Sequence, residues 1–428
     1  MTLLLICFVL FLVLGMPIAF VIGIAGFAYF TSIDYLSYEA ATQMIISQSQ
    51  SFAFLAVPFF IFAGNLMNVS GITGRLLGLA RILTRRMYGG TAQISVVMST
   101  LMGGVSGSAT ADAAMETRIL GPEMMRIGYK KGYICAVNCI TALITATIPP
   151  SLGLIIFGFV GEVSIGRLFA AGLIPGVLMM TFLMTTTSIT SRIYKFDPPR
   201  TDVPPPTPSE ILANLKESVW ALMFPVILIV GIRFGVFTPS ESGAFAVVYA
   251  LLVGKFVYKE LTWENFREAL VTTLKDNGAI MLIIAMSGPF SYAITWVKLP
   301  AILSGFLFGI TQNPQVLVLI MIGFLFISGM FVDSNVNFLL LTPIFLPMVK
   351  SLGFDPVHFG VLMATVVTLG VMTPPIGSAL YTVCGIIKCP PEEYTWYALP
   401  FLGAVLLELA ILTFLPEVVL FVPNLVFG

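Results

Sequence analysis

Gly107-Ser108-Ala109-Thr110-Ala111-Asp112 is followed ten residues later by Pro122, then by Gly128-Tyr129, then, twenty-one residues after Gly128, by Pro149-Pro150. The pattern returns. Gly329-Met330-Phe331-Val332-Asp333 precedes Pro343 by ten residues, then come Gly353-Phe354 and, at the same spacing, Pro374-Pro375. The offset is 221 for the acids and first prolines and 225 for the later landmarks. A duplicated unit that sets an acid, glycines and a Pro-Pro break inside apolar sequence is how secondary transporters build a binding site at the bilayer midplane.

The surrounding composition agrees. The chain is 58% hydrophobic and 10% charged, with a mean hydropathy of +1.00, against roughly 25% charged in an average soluble chain. Apolar runs of bilayer length recur, so the chain reads as a polytopic membrane protein. A net charge of zero and no basic run argue against nucleic acid as a partner. Cys7, Cys135, Cys139, Cys384 and Cys389 have neither zinc-finger nor CxxC spacing, and His358 is the single histidine. They read as small buried apolar residues, not as a metal or redox site.

The fold class that follows is all-α, with inverted repeats, each holding a re-entrant helical hairpin and a Pro-Pro-broken helix. The first repeat is residues 1–193. It opens with one interrupted span at residues 3–30, and has its hairpin at about 90–124 and its broken helix at about 132–161. The hairpin flanks are too short and polar to span alone, and non-helical backbone at membrane depth is tolerated only where protein or water covers it. Residues 194–218 are Pro-rich and read as an extended linker, and 219–237 as an extra connecting span. The second repeat, 238–428, has its hairpin at about 315–350 and its broken helix at about 357–387. Four spans per half plus the extra one put equivalent elements an odd five crossings apart, hence inverted. Arg75–Arg86, Arg118–Lys131, Arg192–Arg200 and Lys255–Lys259 fall on one face, with Asp34, Glu39 and Glu162 on the other, which places the N-terminus in the cytoplasm.

Asp112 and Asp333 stand out because a charge at the bilayer centre costs roughly 2.5–3.5 kcal/mol on insertion scales. An acid that only caps a helix N-terminus is the structural alternative. Ser106, Gly107, Ser108 and Thr110 at one tip, and Ser334 and Asn335 at the other, offer hydroxyls, an amide and free carbonyls. Proline lacks an N–H, so the breaks at Thr147 to Pro150 and Thr373 to Pro375 free further carbonyls. Such oxygens suit Na⁺, and the helix N-termini beside them suit a carboxylate. Asn65, Asn138, Asn335 and Asn337 lie at similar depth, able to bind a polar substrate or to bond between helices. Glu116 and Arg118 read as an ion pair at the hairpin mouth.

Ala63-Gly64-Asn65-Leu66-Met67, Gly107 through Asp112, Ile148-Pro149-Pro150-Ser151, Asp333 through Pro343, Asp355 through Gly360 and Thr373-Pro374-Pro375 resemble the large membrane subunit of TRAP (tripartite ATP-independent periplasmic) transporters. Met115-Glu116-Thr117-Arg118 is more charged than that family's pattern. The resemblance implies Na⁺-coupled import of an organic acid anion, such as a C4-dicarboxylate, sialic acid or keto acid, by an elevator motion in the bacterial inner membrane. It implies two partners, a small four-helix membrane subunit and a periplasmic substrate-binding protein, and no organic cofactor. Carried onto this chain, Na⁺ lies at Ser106, Gly107, Ser108 and Thr110 with Thr147, and at Gly329, Val332 and Asp333 with Gly370 and Thr373. The anion lies between the tips, near Asn65, Ser108, Asp112, Asn138, Ser334, Asn335 and Asn337.

Two other readings stay open. A stand-alone ion-coupled carboxylate carrier would need neither partner. A membrane-embedded enzyme using Asp112 and Asp333 would have to work without a supporting nucleophile–base pair or metal cluster, and the chain is read as a non-enzyme.

Overall fold

The computed structural model describes residues 2–33, 36–50, 52–199 and 204–428, and every regular element among them is helical. Asp34 and Arg200, used above for sidedness, lie outside the described residues. The chain begins with α1 (Thr2–Val13) and α2 (Ile18–Thr31), separated by Gly15 at φ 73°. Residues 3–30 are therefore not one span. Phe8 stacks on Phe290 at 5.4 Å, and Gly26 lies against the backbone of the same Phe290. In a straight helix those two residues would be about 27 Å apart. The turn at Gly15 and Pro17 folds α1 back along α2.

After α3 (Tyr38–Ser49), the helices α4 (Ala56–Val69) and α5 (Ile72–Thr84) meet at a 65° bend. Gly71, at φ 83°, takes the left-handed conformation that this corner requires. The first hairpin is α6 (Gly90–Gly103) and α7 (Ala109–Ile127). Next come α8 (Lys131–Thr141), α9 (Leu143–Thr147) and, beyond Pro149-Pro150, α10 (Leu152–Val160), bent by 43° from the helix before it. The first half closes with α11 (Ile165–Ile193).

The supposed linker is structured at both ends. Asp197 is buried and accepts from Thr91 N at 2.8 Å, which satisfies an orphan amide at the start of α6. From Pro208 the chain is helical, as α12 (Pro208–Arg233). The physical reason is a capping box: Thr207 accepts from Glu210 N while the Glu210 carboxylate accepts from Thr207 N, with Pro208 at the first helical position. The connecting span thus starts at 208, not 219. It meets α13 (Pro239–Leu252) at Gly235, φ 68°, as α1 meets α2 at Gly15, so α12 has a counterpart in the first half.

The second half continues with α14 (Trp263–Trp296), a single helix of 34 residues. Asp276, Asn277 and Gly278 are weak helix formers, but three such residues inside a long run of good ones do not end a helix. Then follow α15 (Leu299–Ile310), the second hairpin α16 (Pro314–Phe331) and α17 (Ser334–Ser351), and the broken pair α18 (Pro356–Val371) and α19 (Ser378–Ile387). The chain ends with α20 (Pro391–Phe414) and α21 (Pro416–Phe427).

The hairpins enter from opposite ends. Gly132, at the base of the first, donates to Glu393 Oε1 at 3.0 Å, beyond the far end of the second broken helix. Asp355, at the base of the second, lies 4.0 Å from Arg167, beyond the far end of the first. The hairpins pack on the broken helices, α16 on α18 and α7 on α8 and α19, and α20 packs on α8. A separate group, α2, α3, α4, α13 and α14, packs mainly on itself and flanks them.

Candidate functional site

At the first tip Gly107 sits at φ 68° with its carbonyl accepting from Leu152 N at 3.3 Å. A methyl group there would overlap the carbonyl oxygen of Pro150, so only glycine lets the tip reach the break. Ser108 is the extended residue before α7, and its carbonyl accepts from Asp112 N at 3.0 Å. Across the break, Ser151 donates to Ala146 O at 2.5 Å and accepts from Leu154 N at 3.4 Å, capping α10. Thr147 turns its buried hydroxyl back to Leu143 O at 3.2 Å.

At the second tip Val332 is extended and Asp333 caps α17, accepting from Asn335 N at 2.9 Å. Asn337 clips the hairpin shut. It accepts from Ser328 Oγ at 2.5 Å and donates to Val332 O at 2.9 Å. At the second break Thr373 donates to Leu369 O at 2.7 Å, and Gly370 lies directly on Gly329.

The two tips meet across a small chamber of about 90 Å³, lined by Ser108, Thr110, Ser151, Asp333, Ser334, Asn335, Phe338 and Thr368 among others. Residues at the N-termini of three helices, α7, α10 and α17, line it together. Free backbone N–H groups and the positive ends of helix dipoles favour an anion in such a place. The Asp333 carboxylate opposes one, so an anion seated here calls for a compensating cation among the same oxygens. Beside the chamber, and sharing Ser108, Thr110, Leu152, Asp333 and Asn335 with it, lies a vestibule of about 620 Å³ between the hairpins and the flanking helices. Ser106, Asn65, Lys275, Asp276 and Thr382 line it.

Asp112 is fully buried, with Ser106 and Thr145 as its polar neighbours, and neither carboxylate oxygen has a hydrogen bond of good geometry. Asp112 lines neither the chamber nor the vestibule, and a buried carboxylate with only two hydroxyls beside it is a setting a small cation fits. Glu116 does not pair with Arg118. Its two oxygens accept from Ser95 Oγ at 2.7 Å and Ser99 Oγ at 2.8 Å, tying α7 to α6. Residues two apart on a helix point in nearly opposite directions, which rules the pair out.

Not every candidate reaches the chamber. Asn138 is buried within α8, with both polar atoms unpartnered, and lines neither cavity. Asn337 is spent on the hairpin. Asn65 faces the vestibule while donating to Thr273 Oγ1 at 3.0 Å and Asp276 Oδ2 at 3.4 Å on α14. Gly329 and Gly370 form a backbone junction behind the second tip, and these two, Val332 and Thr373 all lie outside the chamber lining. Lys275 and Asp276 are the residues that sequence reasoning missed. The available signal was a charged pair followed by about twenty uncharged residues on what proves to be one helix.

Residues 5–418 match the family model described as the tripartite ATP-independent periplasmic transporter, DctM component. The chain is 32% identical over 410 residues to the 2,3-diketo-L-gulonate TRAP transporter large permease protein YiaN of Escherichia coli, covering 95% of each chain. It is 33% identical over 414 residues to the sialic acid TRAP transporter large permease protein SiaM of Vibrio cholerae, covering 97% of this chain and 96% of that one. Among solved structures, the YdaH transporter of Alcanivorax borkumensis superposes with a TM-score of 0.63 at 14% identity over 89% of each chain, a likeness of fold.

Proposed function

The chain belongs to the tripartite ATP-independent periplasmic transporter family as a DctM component, and we propose that it imports a small organic acid anion together with Na⁺. It is a multi-pass membrane transporter subunit. One observation carries the reading: three helix N-termini and an aspartate meet in one chamber between two hairpin tips. The N-termini hold a carboxylate, and the tip oxygens with Asp112 and Asp333 hold the cations that travel with it. Binding either charge alone leaves the other side of the site uncompensated, which couples the two.

We read the vestibule, whose lining includes Ala111 and Ala114 on α7 and Thr382 on α19, as opening toward the base of the first hairpin. By the positive-inside argument that base is cytoplasmic, so this arrangement is inward-facing. The hairpins and broken helices move as an elevator against α2, α3, α4, α13 and α14. With α1 folded back on α2, the same argument puts Thr2 on the extracytoplasmic face, opposite to where a single span over 3–30 puts it. A small membrane subunit covers the flanking group, and a periplasmic binding protein delivers the substrate.

The test is reconstitution of this chain with its small subunit and binding protein, following uptake of a panel of labelled organic acids with and without an inward Na⁺ gradient. Uptake requiring both Na⁺ and the binding protein is expected. Equal uptake without the binding protein would establish a stand-alone carrier, and indifference to Na⁺ would overturn the cation sites.

A further inference from the structure

Three cysteines remote in the sequence converge away from the transport site. The sulfurs of Cys135 on α8, Cys384 on α19 and Cys389 just beyond α19 all lie within 4.8 Å of one another, and all three residues are buried. Two local features bring them together. Lys388 ends α19 at φ 55°, and Cys389 N then donates to Cys384 O at 2.9 Å, which folds Cys389 back over Cys384. The packing of α8 on α19 supplies Cys135.

A helix end of this kind often carries an apolar contact between just these two positions, so Cys384 and Cys389 alone would be ordinary. The surroundings go further. Glu393 Oε2 faces Cys389 Sγ at 3.8 Å, held there by Gly132 N on its other oxygen. Lys131 Nζ donates to the carbonyl of Lys388, the residue before Cys389, at 3.4 Å, which brings one ammonium group beside the cluster. Tetrahedral thiolate sites have metal–sulfur bonds of about 2.3 Å, which sets sulfurs roughly 3.8 Å apart. The cluster closes to that with shifts smaller than a rotamer change.

We propose that Cys135, Cys384 and Cys389, with the Glu393 carboxylate as fourth donor, form a tetrahedral site for a thiophilic divalent cation of the Zn²⁺ class. Binding releases the three thiol protons to solvent and forms three metal–sulfur bonds and one metal–oxygen bond. Three thiolates, one carboxylate and a divalent cation sum to −2, which the Lys131 ammonium offsets in part. The site clasps a helix of the first repeat to a helix of the second, at the end of the broken pair away from the tips.

The probe is Cd²⁺, added to the purified full-length chain after chelation. The expected result is an ultraviolet thiolate-to-Cd²⁺ charge-transfer band that saturates at one Cd²⁺ per chain. It should persist in a Cys7→Ser/Cys139→Ser double variant and vanish in a Cys135→Ser/Cys384→Ser/Cys389→Ser triple variant. Glu393→Gln should weaken binding by at least about tenfold. No band, or a band surviving in the triple variant, overturns the site. Should the triple variant not fold, timed alkylation of the wild-type chain decides. Zn²⁺ should slow modification of Cys135, Cys384 and Cys389 relative to chelated protein, and equal rates overturn the proposal.

Discussion

Gly329 and Gly370 touch backbone to backbone: a methyl group on Gly370 would stand 2.7 Å from both the Cα and the carbonyl carbon of Gly329. The second hairpin and the second broken helix can approach this closely only because neither residue has a side chain. Gly370→Ala must push the hairpin away, at a cost of about 1–3 kcal/mol. Thermal unfolding in detergent should show the loss, and Na⁺-driven uptake should fall with it. Gly403→Ala, with open space around it, is the control. An unchanged melting temperature and uptake in Gly370→Ala would mean that the junction is not tight.

Asn337 holds the second tip by bonds to Ser328 and Val332. Asn337→Leu removes both and should destabilise the tip by about 1–3 kcal/mol. Hydrogen exchange of peptides covering residues 328–337 should quicken while those of the first hairpin stay as they were. Exchange that speeds up equally at both tips would point to global loosening instead.

Glu116 gathers two serine hydroxyls inside the first hairpin. Glu116→Ala leaves both without that acceptor and should lower stability by about 1–3 kcal/mol. Glu116→Gln keeps one acceptor oxygen and should lose less. If the two variants melted alike, the carboxylate would not be organising α6 against α7.

Lys275 is the basic residue lining the vestibule beside the chamber. A carboxylate passing between chamber and solvent meets its field, so Lys275→Ala should weaken substrate capture in the reconstituted transporter. The expected change is a KM raised by about three- to tenfold, with the maximal rate much less affected. The effect should shrink at high salt, because an exposed charge is screened. A lower maximal rate at constant KM would place Lys275 in the conformational change instead.

Much of this arrangement was readable from residue order. The repeated acid, glycine and Pro-Pro landmarks located both hairpins and both breaks, because proline and left-handed glycine act through their own covalent geometry. Side-chain partners were not readable in the same way. Glu116 and Arg118 are two residues apart, yet Glu116 is buried against α6 and Arg118 is exposed. Asn138 and Asn337 are alike by type and depth, yet one is enclosed in α8 and the other clips a hairpin. The fold-back at Gly15 was hidden because two short apolar helices and one interrupted long one have the same hydropathy. The helix at Pro208 was legible in its Thr207–Glu210 capping box but was masked by the prolines around it.

By itself the sequence determined that this chain lives in a bilayer, that its plan is duplicated and where its helices must break. Those properties follow from hydropathy summed along the chain and from the backbone limits of single residues. Only the tertiary structure decided which atoms share a site. The chamber joins Ser108 to Asp333 across 225 residues of chain, and the sulfur cluster joins Cys135 to Cys384. Both depend on how two oppositely entering hairpins and their broken helices pack, a sum of many weak contacts that no local pattern encodes.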